Sequence, residues 1–219
     1  MPLPRIPTVA TQEQSRTDFL RLTAMNPTVC QIVDRLASLK LPDAWVAGGC
    51  LFQTAWNVLA GEDPNRAIKD YDIFYFNPID CTRESEEEAN HRASVAFADL
   101  GCRIDLRNQA RVHLWYAQEF GVSEYPRLTK ATDGIDNFLA ICCMVGVRKV
   151  RSGDTELYAP FGVNDVLARV MRPNPWFPLA PRSSYYQKAD RWRTLWPDLV
   201  VEPFEEAEGV ATAGGGAIQ

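Results

Sequence analysis

Two consecutive glycines, Gly48-Gly49, separate an apolar triplet, Trp45-Val46-Ala47, from a segment with Leu51, Phe52, Ala55 and Leu59 at helical spacing. That junction constrains the fold most. A short buried strand must run straight into a helix, with Gly61 available to cap the far end. Without side chains, the turn lets backbone approach an anion closely. The helix behind it offers unpaired N–H groups and a positive dipole end at the same spot. The same turn also serves as a plain tight connection, so alone it does not require a ligand.

The second feature is acidic. Asp70-Tyr71-Asp72 opens an aromatic, β-branched run that continues to Phe76 before Asn77-Pro78 stops it. Alternation places Asp70 and Asp72 on one face of that strand. Like charges so close repel unless a cation or solvent neutralises them, and hard carboxylate oxygens suit magnesium. A solvated strand edge accounts for the pair equally simply. A third acid, Asp105, lies between Ile104 and Leu106 in a further predicted strand, Cys102 to Leu106. A carboxylate among apolar residues needs a metal or a base. Arg103 and Arg107 are both near enough in sequence to be that base.

The remaining elements frame these three pieces. Asn26-Pro27 reads as a helix N-cap followed by proline at the first helical position, with Val29, Ile32, Val33 and Leu36 at helical spacing behind it. Thr82 caps a long helix whose first turns carry Glu84, Glu86, Glu87 and Glu88. Residues 133–144 read as helix. Val145–Val150 and Thr155–Ala159 read as a hairpin through Ser152-Gly153-Asp154, followed by a short helix over Gly162–Met171. A last helix starts at Ser183 and ends at Pro197. Trp192 and Trp196 are expected in its core face rather than as stacking platforms. The expected class is α/β (α+β), a small mixed sheet flanked by helices, with the hairpin and last helices walling one side of a cleft.

The order of apolar residue, Gly-Gly, helix, D-x-D strand and later strand acid resembles the DNA polymerase β nucleotidyltransferase superfamily. Val46-Ala47-Gly48-Gly49, Asp70-Tyr71-Asp72-Ile73 and Ile104-Asp105-Leu106 carry the likeness. Four further stretches are similar to a bacterial family of stand-alone nucleotidyltransferases. They are residues 108–115, Ala159-Pro160-Phe161-Gly162, Arg172-Pro173-Asn174 and Lys188-Ala189-Asp190-Arg191-Trp192. The resemblance implies a polymerase β-like core. Asp70 and Asp72 would hold the magnesium or manganese ion that grips an NTP, and Asp105 would join them around a second ion. Two such ions stand roughly 3.5–4 Å apart and stabilise the attacking and leaving oxygens of an in-line displacement. Gly48, Gly49 and Cys50 would meet the phosphates. Cys50 stands where many members place a serine, and a thiol is a poor donor. No Arg-Asp pair follows the Gly-Gly as in tRNA-end enzymes, which argues against a tRNA-end role.

Lys69, Arg107, Asn108, Arg111 and His113 are the candidate substrate contacts. Arg107 and Arg111 are spaced to share a face if a helical turn joins them. His113, between Val112 and Leu114, fits a core histidine as well as a catalyst. The expected reaction moves a nucleoside monophosphate from an NTP to an unidentified acceptor and releases pyrophosphate. The alternatives are a catalytically inactive nucleotide-binding regulatory module, or a toxin–antitoxin component that modifies a protein or tRNA.

Composition sets outer bounds. The chain of 219 residues carries a formal charge of −5, which disfavours a long nucleic-acid groove. With two histidines and no C-x-x-C among six cysteines, a zinc centre is not expected. The cysteines lie in apolar segments, and neither a leader nor a membrane span is evident, so a cytoplasmic protein with reduced thiols is expected. Residues 1–24 are assigned to an N-terminal arm, loose over the proline-rich residues 1–18. Residues 25–200 form the nucleotidyltransferase domain, and 201–219 an acidic, then Gly/Ala-rich disordered tail.

Overall fold

The computed structural model describes residues 9–177 and 181–204. Helices α1 (Val9–Thr23) and α2 (Pro27–Arg35) precede β1 (Trp45–Ala47), and α3 (Gly49–Leu59) follows β1 after a single residue. Next come β2 (Tyr71–Tyr75), α4 (Arg83–Ala96), β3 (Ile104–Asn108), α5 (Tyr116–Phe120) and α6 (Ala131–Asp136). The hairpin β4 (Gly146–Lys149) and β5 (Thr155–Tyr158), helix α7 (Asn164–Leu167), β6 (Val170–Met171), α8 (Arg182–Leu195) and β7 (Val200–Val201) complete the order.

Five strands form one mixed sheet in the order β3-β2-β1-β4-β5. Among the described residues of this sheet only β2 and β3 run parallel, with α4 supplying the crossover that parallel strands need, while β6 and β7 form a separate parallel pair. Alternation sorts the side chains onto two faces. Val46, Ile73, Leu106 and Val147 enter the main core with Ile32, Phe52, Trp56 and Phe97. Trp45, Ala47 and Phe74 turn the other way and pack on Ile135 and Met144. The main core continues into α8, where Trp56, Trp192, Trp196 and Phe52 meet edge to face. Both α8-side tryptophans are therefore core residues, as expected. Trp196 Nε1 also donates to Asn57 Oδ1 at 3.2 Å.

Local capping follows the sequence. Asn26 accepts from Thr28 and Val29 at the start of α2, and Thr82 accepts from Ser85 at the start of α4. Other expectations are corrected. The reading of a loose arm fails from residue 9 onward, because α1 buries Phe19 and Leu22 in the main core and Arg16 donates to Leu157 O at 2.7 Å. Residues 1–8 lie outside the described part. The helix expected over 133–144 stops at Asp136, and only a 3₁₀ turn follows at Ile141–Cys143. The buried Asn174 amide explains the break: it donates to Asp136 O at 2.7 Å and Phe138 O at 2.8 Å. Over 162–171 the helix is confined to Asn164–Leu167, and the chain turns at Arg169, with φ of 52°, into β6.

The tail assignment begins too early. Val201 lies in β7, Glu202 N–H donates to Met171 O at 2.8 Å, and the Phe204 ring packs on Tyr185. Residues 205–219 lie outside the described part. Among the described residues no helix is long and apolar enough to cross a membrane.

Candidate active site

Strand register builds the acidic corner. On β2 and β3 Asp72 stands opposite Asp105, and on β1 Ala47 stands opposite Asp72. Partners in register share a face, so both carboxylates emerge on the side that carries Ala47, next to the Gly-Gly turn. Asp70 lies just ahead of β2. Asp72 is partly buried, and its pKa is raised to about 7 by burial first, then by the charges of Asp70 and Asp105. Lys188 and Arg107 pull it the other way, less strongly. The three acids thus share one electrostatic neighbourhood. They do not form a closed cluster of metal-ligating side chains among the described residues. Asp105 is held instead by Arg107, whose Nε donates to Oδ1 at 2.7 Å and Nη2 to Oδ2 at 3.4 Å.

The glycines divide their duties. Gly48 has φ 64° and ψ −120°, a conformation closed to other residues, and a Cβ there would stand 2.8 Å from Cζ of Phe138. Its N–H is already spent on Val145 O at 2.8 Å. Gly48 therefore shapes the turn. The N–H groups of Gly49 and Cys50 open α3, where no intrahelical carbonyl is available to them. They are the donors an anion would meet. The Cys50 side chain is fully buried, with its thiol toward Ala47 O at 3.7 Å, and burial pushes its pKa well up. Only its backbone can serve the turn.

The five candidate contacts scatter. Lys69 is exposed one residue before Asp70. Arg107 reaches the corner through Asp105, and its guanidinium lies 5.6 Å from the Trp115 ring centre. Asn108 is buried and occupied: its amide donates to Asn77 O and Asp80 O and accepts from the Asn77 and Ala110 N–H groups. Arg111 forms an ion pair with buried Glu86 and donates to Cys81 O. Arg107 and Arg111 share no helical face, because Arg107 lies within β3 and Arg111 lies past its end. His113 sits in a 3₁₀ turn, with Nδ1 buried and unbonded among the described residues and its pKa lowered by burial and then by Arg127.

A family model described as nucleotidyltransferase matches residues 34–201. The chain belongs to that family. A solved structure described as revealing, by NMR, a CCA-adding enzyme head domain is 25% identical, with a TM-score of 0.70. That match covers 84% of this chain and 94% of the other. A tRNA-processing enzyme in an apo form is matched over 91% of this chain and 45% of its own, at 12% identity and a TM-score of 0.45. No curated protein matches the chain. The mixed sheet flanked by helices is thus the fold of a nucleotidyltransferase head domain.

In this nucleotidyltransferase the corner is lined by residues that local sequence patterns did not single out as contacts. Lys188, on α8, is near enough for its charge to lower the Asp72 pKa. Phe138 packs against Gly48 and stacks on Phe74 with centroids 5.4 Å apart. Gln53, one turn into α3, has its Nε2 3.0 Å from where a Gly49 Cβ would be, while its buried Oε1 has no partner among the described residues. A polar residue on the buried face of α3 was the available signal for Gln53. Lys188 and Phe138 reach the corner only through the tertiary fold.

Proposed function

We propose that this nucleotidyltransferase moves a nucleoside monophosphate from an NTP to a hydroxyl or phosphate acceptor, releasing pyrophosphate, with Asp70, Asp72 and Asp105 holding divalent metal. The observation that carries the reading is the pairing of Asp72 with Asp105 beside the start of α3. The donor set fits magnesium or manganese. Carboxylates offer hard oxygens, and a cation would offset both the burial of Asp72, which is the main cause of its raised pKa, and the repulsion from Asp70 and Asp105. When bound, such an ion neutralises phosphate charge and polarises the phosphoryl group.

The chain's own groups position the reactants. Gly49 and Cys50 N–H groups take phosphate oxygens at the helix start. Arg107 exchanges part of its pairing with Asp105 for the substrate. The acceptor oxygen bonds to the α-phosphorus as the bond from that phosphorus to the bridging oxygen breaks. The acceptor's proton leaves to solvent, and the electron pair leaves with pyrophosphate. Such transfer asks mainly for positioning and charge neutralisation.

The Asp105–Arg107 pair favours one rival, an inactive nucleotide-binding module in which the third acid is permanently occupied. A radiolabelled-NTP screen against pooled protein, tRNA and metabolite acceptors, with magnesium or manganese, separates them. Label transfer that Asp72→Asn abolishes is expected. NTP binding with no transfer to any pool supports the inactive module instead.

A further inference from the structure

A cavity of about 260 Å³ adjoins the acidic corner. Four of its residues tie it there. Phe74 is two positions beyond Asp72 on β2, about 7 Å along the strand. Arg107 lines the cavity and grips Asp105, Lys188 lines it and acts on Asp72, and Phe138 lines it and abuts Gly48. The cavity is therefore bounded by residues that touch Asp105 and Gly48, although neither the three acids nor the two glycines line it.

Its walls are flat and aromatic. Phe74 and Phe138 stack at an interplanar angle of 24°, and Trp115 and Tyr116 add two further rings. Arg107 and Lys188 stand on the acidic side, and Gln109, Asn137 and Ser184 supply neutral polar groups. The Trp115 indole N–H is buried without a hydrogen-bond partner among the described residues. Asn137 donates an amide N–H to Tyr125 Oη at 3.2 Å, and its carbonyl oxygen is an acceptor. Aromatic faces with donor and acceptor groups at their edges suit a planar heterocycle, and the volume is slightly below that of sites for larger ligands. It suits one ring system rather than a stretch of polymer.

The geometry points to a nucleobase seat: the base of the donor NTP stacks in this cavity while its phosphates lie at Gly49, with the ribose bridging the two. This rests on the transfer reading above and adds to it where the base goes and what holds it. Base choice then lies with Trp115, Tyr116 and Asn137.

The test is equilibrium titration in magnesium of each of the four common NTPs and of inorganic tripolyphosphate, which has no base. The wild type and two variants are compared, Trp115→Leu and Ser184→Phe. Ser184 lines the cavity from α8 and is only partly buried, so a phenylalanine there fills the seat from its rim, and that variant decides the matter if Trp115→Leu does not fold. The wild type should bind at least one NTP about tenfold or more tighter than tripolyphosphate, the scale that stacking of one base supplies. Both variants should lose that advantage and keep the tripolyphosphate affinity. Variants that retain the NTP preference, or a wild type with none, overturn the base seat alone. Binding of neither ligand removes the transfer reading and this proposal together.

Discussion

Asp72 and Asp105 face one another across the only parallel strand pair of the main sheet, with Asp70 adding charge from the strand's leading edge. Burial first, and then the charges of Asp70 and Asp105, raise the Asp72 pKa to about 7, so ionising that carboxyl is unfavourable in the folded chain.

That charge gives a pH signature. The Asp72 carboxyl titrates near 3.8 when unfolded and about 7 when folded, so the folded state holds the proton more tightly. Its contribution to stability is fully present below about pH 4 and is lost as pH rises toward 7. In EDTA, Asp72→Asn should remove this decline and be more stable than wild type at pH 8 by about 1–3 kcal/mol, discounted for partial exposure. Urea denaturation of both proteins across pH 4–8 measures it. A variant less stable than wild type at pH 8 would mean that Asp72 is a structural acid.

The two glycines should fail differently. Gly48→Ala meets a backbone conformation closed to alanine and the Phe138 ring, and should cost about 1–3 kcal/mol of stability. Gly49→Ala meets only the movable Gln53 amide, so its melting temperature should change little while NTP affinity falls. Thermal melts and NTP titration on both variants check the contrast.

Arg111 belongs to the scaffold. Its ion pair with Glu86 is buried, and Glu86 Oε1 also accepts the Asn108 N–H at 2.8 Å. Arg111→Leu leaves that carboxylate without its partner and should cost about 3–5 kcal/mol. Folded variant, assayed at low temperature, should bind NTP as the wild type does. Normal stability with lost binding would return Arg111 to the substrate contacts.

Arg107 should behave oppositely in the presence and absence of metal. Its pair with Asp105 is part-exposed, so Arg107→Gln should lower stability in EDTA by less than about 1 kcal/mol. With Asp105 released, the rise in melting temperature on adding magnesium should be larger than in wild type. An unchanged magnesium response would indicate that Asp105 takes no part in holding the ion.

The parts of this molecule that were legible are those fixed by near neighbours. The β1–Gly-Gly–α3 unit follows from an apolar triplet, two glycines and one helical face. The Asn26 and Thr82 caps and the β4–β5 hairpin are equally local. Helix α1 was not legible, because its buried Phe19 and Leu22 stand among polar residues and proline lies just upstream. Asn108 and Arg111 looked like substrate contacts because Glu86, which holds both, lies 22 and 25 positions away in the chain. Lys188 and Phe138 join the corner from α8 and the loop after α6, and no local pattern connects them to Asp72 or Gly48.

The central claim is that the acids at Asp70, Asp72 and Asp105 hold a divalent ion that binds NTP phosphates at Gly49. Calorimetric titration of NTP tests it most directly, with wild type in magnesium, wild type in EDTA, and Asp72→Asn in magnesium. Tight binding is predicted in the first case and a loss of at least about tenfold in the other two, the loss of roughly 1.4 kcal/mol or more. Equal affinity in all three would contradict the account.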